Sequence, residues 1–519
     1  MKMTQRSIRL LAGVVTVIAF PALIAIVMVM NGCTVGPNYQ RPEATTIPAA
    51  YTGVSDEWKV AVPQAHLPKG NWWEIFGDPE LNRLETETAE ANQDLMAAYA
   101  RFNQARAVAD VVRSGLFPRL GASFQAVEQR DSENRPVGGK PGKTYDVFTV
   151  PFDLSYEFDL WGRVRRSVES ATAQVESVAD DMESVKLAIQ AEVAADYFTI
   201  CTLDADKALL LSSIEVYRRS LALVRNRRAG GMVSDLDVAQ AETVLRNAEA
   251  QLPDNALQRA KFEHALAVLT GKNASLFRLA ERPLELEPLV FPTGLPSELL
   301  ERRPDIAAAE RRMAAANANI GAATAAFFPT IKLGATAGFW SGDLNANRDM
   351  STLFEWPSRF WAVGPSLTLP LFEGGRLSAN LRHAKAAYGE MVARYRQTVL
   401  TAFADVENNL AAEYLLGRQY KQVLAALKAA RRQLEIADNR YNAGLVTYLE
   451  VATAQNTTLG IERTGMRLRG QQLAAAVALI KSLGGGWQET NKKSGENSAT
   501  LNSKAQQTIP ESRGDSDRK

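Results

Sequence analysis

Hydrophobic and polar positions along the chain follow two very different periods. Near residue 360, Trp361, Val363, Pro365, Leu367, Leu369 and Leu371 alternate with Ala362, Gly364, Ser366, Thr368 and Pro370, the period-two pattern of a strand with unlike faces. Earlier, Val150, Phe152, Leu154, Tyr156 and Phe158 alternate with Thr149, Pro151, Asp153, Ser155, Glu157 and Asp159. Each run ends at a Gly-Arg pair, Gly162-Arg163 and Gly375-Arg376, 213 positions apart, and each leads into a long proline-free helical pattern. A junction met twice at one offset predicts an internally duplicated chain.

Each strand has an upstream partner. After Leu116-Phe117-Pro118, Leu120, Ala122, Phe124 and Ala126 alternate with Arg119, Gly121, Ser123 and Gln125; after Phe327-Phe328-Pro329, Ile331, Leu333, Ala335, Ala337 and Phe339 alternate with Lys332, Gly334, Thr336 and Gly338. Polar loops at 128–143 and 341–350 close two hairpins. The pattern therefore predicts four strands, at about 119–128, 144–158, 330–340 and 360–371, each about long enough to cross a bilayer when tilted.

The helical period is equally extended. One helix is predicted from Glu80 to Gly115, long ones at about 163–227 and 376–441, and their successors at about 234–270 and 447–483. Leu377, Leu381, Tyr388, Met391, Tyr395, Val399, Ala402, Val406 and Leu410 mark a coiled-coil seam. At 1.5 Å per residue the long helices span roughly 100 Å. Both turn at the same relative place, Gly231-Met232-Val233-Ser234 and Gly444-Leu445-Val446-Thr447, where glycine ends one helix and Ser234 or Thr447 can cap the next. Such turns are helical hairpins first. They also form the tip of the rods, where a partner could dock.

The N-terminus adds a signal of another kind. Lys2, Arg6 and Arg9 precede an apolar run from Leu10 to Met30, followed by Asn31-Gly32-Cys33, the plan of a secretory leader over 1–32. Cysteine directly after glycine resembles a bacterial lipoprotein leader, with Cys33 as the lipidated residue; an uncleaved anchor or an idle thiol are the other readings. Threonine at 34 rather than aspartate fits forwarding to the outer membrane. An acyl chain adds roughly 0.8 kcal/mol per buried CH₂, so it tethers without spanning. Residues 33–70, rich in proline and small polar side chains, read as an extended arm. Two repeats follow, 71–285 and 286–486, and the polar tail 487–519 reads as disordered. Trp72, Trp73 and Phe76 are expected to anchor packing, and Asp78-Pro79 to start a helix.

Composition narrows function. With 519 residues, 46% hydrophobic, the chain can bury a large core, and its net charge of +1 points to no nucleic acid. Cys33 and Cys201 are the two cysteines, so no disulfide framework or zinc site is expected, and Cys201 reads as a small buried side chain. The three histidines, His66, His264 and His383, form no HExxH, and no Walker loop or nucleophile elbow occurs. No enzyme, and no cofactor beyond a covalent lipid on Cys33, is predicted.

Four strands in one chain leave open edges, which hydrocarbon does not tolerate. Several chains must therefore close the barrel. Two give eight strands, whose interior side chains fill, so a conduit needs at least three. The alternative is a lipid-anchored coiled-coil scaffold or adaptor without a pore, which has no need of duplicated membrane-length hairpins.

The chain resembles outer-membrane lipoproteins of the TolC superfamily, in the NodT/OprM group of tripartite efflux channels. The resemblance is carried by Cys33-Thr34-Val35-Gly36-Pro37-Asn38-Tyr39, by Trp72-Trp73 with Phe76 and Asp78-Pro79, by Glu298 to Ile306 with Arg302-Arg303-Pro304-Asp305, by Phe328-Pro329, and by the Gly-Arg junctions. It implies a mainly α fold with a membrane β-barrel: a homotrimer with a twelve-stranded β-barrel continuing into a long periplasmic α-helical barrel. Its partners would be a periplasmic adaptor and an inner-membrane pump. The resemblance further implies adaptor docking at Gly231, Met232, Val233, Ser234, Gly444, Leu445, Val446 and Thr447. It implies a tip gate at Glu450, with Thr453 and Tyr448 as associated positions; Asp235 and Asp237 join them by internal symmetry, and the other reading of all these acids is a solvated helix face. Thr453 stands where the family pattern has a second acid, and Asp237 is the repeat equivalent of Glu450. Arg302-Arg303-Pro304-Asp305 is expected to make structural ion pairs around a helix start.

Overall fold

The computed structural model describes residues 34–42, 71–130, 132–134, 142, 144–283, 303–343 and 351–485. The leader, Cys33, most of the arm, Arg302 and the tail lie outside the described residues. Along the chain run α1 (Pro79–Ala91), α2 (Gln93–Arg113), β1 (Arg119–Ala122), β2 (Gln125–Arg130), β3 (Thr144–Phe158), α3 (Arg163–Ala229) and α4 (Asp235–Leu269). The second repeat holds α5 (Pro304–Ala325), β4 (Thr330–Asp343), β5 (Arg359–Thr368), α6 (Arg376–Asn442) and α7 (Tyr448–Ser482). Duplication holds to the residue: α3 and α6 are each 67 residues long, and α4 and α7 each 35.

Four boundaries differ from the sequence expectation, one of them the end of β4, which runs on to Asp343, into the stretch expected as loop. The single helix from Glu80 is two, because Asn92 takes an extended conformation, caps α2 through Leu95 N and donates to the Leu269 carbonyl at 2.9 Å. The first strand is interrupted between β1 and β2 although its register against β3 never slips. The gap faces Pro151. Ser123 N donates to the Pro151 carbonyl at 3.2 Å, but proline has no N–H to return the bond. The last strand stops at Thr368 rather than 371, just before Pro370.

The sheet order is β1/β2, β3, β4, β5, all antiparallel, so each hairpin contributes one central strand and one free edge. Below it, α3 and α6 run the length of the molecule; α2 and α5 pack on their sheet-proximal parts, α4 and α7 on the rest. Trp72, Trp73 and Phe76 are buried where these tiers meet, with Phe76 4.8 Å from the Phe198 ring. Asp78 caps α1 and accepts from Tyr197 Oη at 2.7 Å. Arg303 ties the start of α5 to Asp305, Asp405 and the Ser482 carbonyl, the structural role expected of that motif. Cys201 is a buried free thiol, and burial pushes its pKa up to about 12.

Candidate functional site

Two places carry the functional geometry, the sheet and the far tip. In the sheet, cross-strand partners share a face, so the register sorts every side chain. One face carries rows such as Leu120–Leu154–Ala335–Val363 and Phe158–Ile331–Leu367. The other carries Arg119, Asp153, Ser155, Glu157, Lys332, Gly334, Thr336, Gly364 and Ser366 toward the helices, with Val147, Trp340 and Phe360 nearer its far end. The apolar face is bare: Leu120 is 72% and Trp361 74% exposed. A sheet apolar on its outer side and polar on its inner side is the pattern of a barrel wall in lipid. The polar face mixes both charges, Arg119 and Lys332 with Asp153 and Glu157.

Each strand-to-helix junction turns on its glycine. Gly162 and Gly375 sit at φ 78° and 86°, in the left-handed region, so that a helix can start at once. Arg163 grips Glu157 at 2.8 Å and Arg376 pairs with Glu373. The arm reaches the same level. Thr34 lies against Gly162, Val35 N donates to the Trp161 carbonyl at 3.1 Å, and Asn38 accepts from Arg166 at 2.7 Å. A Cβ on Gly36 would stand 2.5 Å from the Gly321 backbone, so the arm is seated directly on α5.

At the tip the two turns share one backbone. Gly231 and Gly444 have φ 71° and 73°. Met232 N reaches back to the Arg227 carbonyl and Leu445 N to the Arg440 carbonyl, both at 2.9 Å, the Schellman closure that satisfies a helix end. Val233 and Val446 pack inward on the tip core, whereas Met232 and Leu445 are each 71% exposed. Leu236 and Leu449, each the second residue of the helix that follows, are exposed too, giving each turn a two-residue apolar knob.

The acids at the tip divide. Ser234 and Asp237 form a capping box, in which Asp237 accepts from Ser234 N at 3.0 Å and Ser234 Oγ at 2.6 Å. Its other oxygen accepts from Tyr448 N at 3.0 Å, so one carboxylate caps both α4 and α7. Burial pushes the Asp237 pKa upward, but the bonds from Ser234 and the backbone N–H of Tyr448 outweigh it and hold the pKa below the usual carboxylate value. Thr447, expected as the cap of α7, makes no side-chain capping bond; Asp237 takes that place. Tyr448 is 2% exposed, lies edge-on to Tyr441 at 5.4 Å and donates to Gln455 at 3.1 Å. Asp237 and Tyr448, grouped with the gate on the sequence, are thus inside the protomer, as cap and core. Glu450 and Thr453 are exposed on α7 and line a groove of about 690 Å³ with Arg432, Ile436 and Arg440 of α6. Asp235 is exposed and paired with Arg228 at 2.7 Å.

The profile of the outer membrane efflux protein family matches residues 85–272 and again 295–485, once per repeat. The chain belongs to this family. It is 33% identical over 476 residues to the toluene efflux pump outer membrane protein TtgF of Pseudomonas putida, covering 89% of this chain and 96% of that protein. The outer-membrane channel OprN superposes with a TM-score of 0.80 at 30% identity, over 88% of this chain and all of that one (100%). The CmeC outer membrane channel of Campylobacter jejuni gives 0.81 at 26% identity, over 88% and 96%. The expected TolC-like fold, outer-membrane location in a Gram-negative bacterium and efflux function therefore stand. These relatives are channel proteins, not enzymes.

With the efflux family in view, the residues that sequence reasoning missed are the basic partners at the tip. Arg440 meets Glu450 at 3.2 Å, and its repeat equivalent Arg227 bonds the Tyr441 carbonyl at 3.1 Å and Asn442 Oδ1 at 3.0 Å. Both lie where the offset that aligned the glycines would have found them.

Proposed function

We propose that three copies of this outer-membrane efflux protein join edge to edge, the β1/β2 edge of one against β5 of the next, as a twelve-stranded barrel continuing into a helical tube. The assembly is a passive duct that carries small molecules from an inner-membrane pump, through a periplasmic adaptor, to the exterior. The observation that supports it is the sheet, bare and apolar outside, polar inside toward the helices, with two edges unpaired among the described residues, which hydrocarbon forbids. The adaptor docks on the two tip turns, Gly231–Ser234 and Gly444–Thr447, with the apolar knobs Met232–Leu236 and Leu445–Leu449 as its hold. Glu450 is the gate acid, with Thr453 one turn along it and Asp235 on the neighbouring turn. Cys33 carries the lipid. Thr34 stands at the junction of barrel and helices, so acyl chains on the preceding residue would enter the membrane's periplasmic leaflet. The test is the protein extracted from outer membranes: a heat-modifiable trimer band and ion conductance in planar bilayers are expected. A monomer that needs no detergent and conducts nothing would instead fit a scaffold.

A further inference from the structure

The chain after the second polar loop folds back over the far end of the sheet, opposite the helices. Ser341 Oγ and Thr352 Oγ1 lie 2.9 Å apart, Leu353 is buried, and Phe354 meets Phe339 edge-on at 5.6 Å. This makes a ledge on the apolar side of the wall, with Phe354 and Trp356 exposed on it and Trp361 exposed just below. Arg359 stands at the base of the ledge. Its guanidinium stacks 4.2 Å from the Trp356 ring centre, and Nη1 donates to the Trp356 carbonyl at 2.7 Å.

Register fixes where this arginine is. It lies opposite Phe339, which lies opposite Val150, on the lipid side. Toward the helices the next row on that side is Ala122–Phe152–Ala337–Trp361, and the rows beyond are apolar apart from the Tyr156 hydroxyl. Away from the helices one further row, Ala126–Phe148–Ser341, precedes the acidic row Glu128–Asp146–Asp343. Arg359 is thus the first charge on this face going outward from the helices, two rows short of the carboxylates, which places it near the outer edge of the hydrocarbon band, at headgroup depth. Among the described residues no carboxylate pairs with it. An arginine at that depth turns its charge to the lipid phosphates, and its planar fork suits a phosphate in particular. With Nη1 bound to a carbonyl and one face of the guanidinium against the Trp356 ring, Nε and Nη2 remain without a described partner.

In a Gram-negative outer membrane the exterior leaflet is a glycolipid with a phosphorylated disaccharide headgroup. We propose that Arg359, oriented by Trp356 and flanked by Phe354 and Trp361, binds a phosphate of that glycolipid and so fixes the depth of the barrel. The inference rests on the outer-membrane location and not on the number of copies, so conductance serves as a separate control. The test is binding of bis-phosphorylated lipid A, and of the same lipid with its phosphates removed, to the detergent-purified full-length protein, read by native mass spectrometry. Wild type should favour the phosphorylated lipid. Arg359→Gln should weaken that binding about tenfold and Arg359→Lys less, with conductance unchanged in both. Binding by Arg359→Gln within about twofold of wild type, or no phosphate preference in wild type, would overturn the proposal.

Discussion

Arg227 and Asp237 in the first tip turn correspond to Arg440 and Glu450 in the second, yet the first pair reaches out of its own repeat while the second closes on itself. Arg227 stacks 4.8 Å over the Tyr441 ring and bonds the backbone of the other turn, and Asp237 accepts from Tyr448 N. Arg440 and Glu450 meet each other at 3.2 Å with both side chains about half exposed. The longer acid reaches outward to its arginine; the shorter one stays buried at the helix ends. Position in the repeat therefore does not decide the role; burial does. A buried carboxylate that satisfies several donors is costly to lose, whereas an exposed pair contributes at most about 1 kcal/mol and can be rearranged cheaply. The first turn is built as the clamp and the second as the part free to respond.

The sharpest way to break this distinction is Asp237→Ala. Ser234 N, Ser234 Oγ and Tyr448 N all lose their acceptor, for an expected loss of about 2–3 kcal/mol at the tip. Hydrogen exchange should show lost protection at the starts of both α4 and α7. Protection lost in α4 alone would mean that the carboxylate does not bridge the repeats. Glu450→Ala should leave both helix starts protected.

Titration sharpens the same contrast by a smaller amount. The Asp237 pKa is lowered in the folded tip, so its contribution is fully present at neutral pH and persists to about pH 4. It fades as pH falls below the usual value of 3.8 and through the folded pKa, because protonation removes an acceptor that only the folded state uses. The protection factor at Tyr448 N, exchange relative to the intrinsic rate at each pH, should fall over that acid window in wild type. In Asp237→Ala, already without the clamp, the carboxylate-dependent fall should be absent.

Much of this was legible in the chain. The period-two runs gave the strands and their faces, because a register shared by apolar positions cannot slip without turning the whole set over. The common offset gave helices of equal length. Less was legible at the tip. Asp237 and Glu450 align, and alignment cannot say which of two acids is buried; that depends on the one extra methylene of Glu450 and on how α4 and α7 approach. The break at Asn92 was hidden too, since asparagine sits in many helices, and only its contact with the distant Leu269 carbonyl fixes the break. Pro151 was visible, but its effect on the opposite strand needed the pairing to be known.

The smallest expected effect tests the second turn itself. Arg227→Ala removes a ring stack and two hydrogen bonds and should cost about 1–2 kcal/mol. Arg440→Ala should cost far less. A double-mutant cycle on Arg440 and Glu450 should return a coupling of no more than about 0.5 kcal/mol, falling with added salt, since two half-exposed side chains recover most of their interaction from water. Function should run the other way. If Glu450 holds the tip narrow, Glu450→Gln raises single-channel conductance while stability barely moves, because the groove it lines with Arg432 and Arg440 is a surface that can repack at little cost. A coupling well above 1 kcal/mol would make the second turn a clamp as well and erase the distinction. Unchanged conductance would remove Glu450 from the gate while leaving Asp237 as the bridge between repeats.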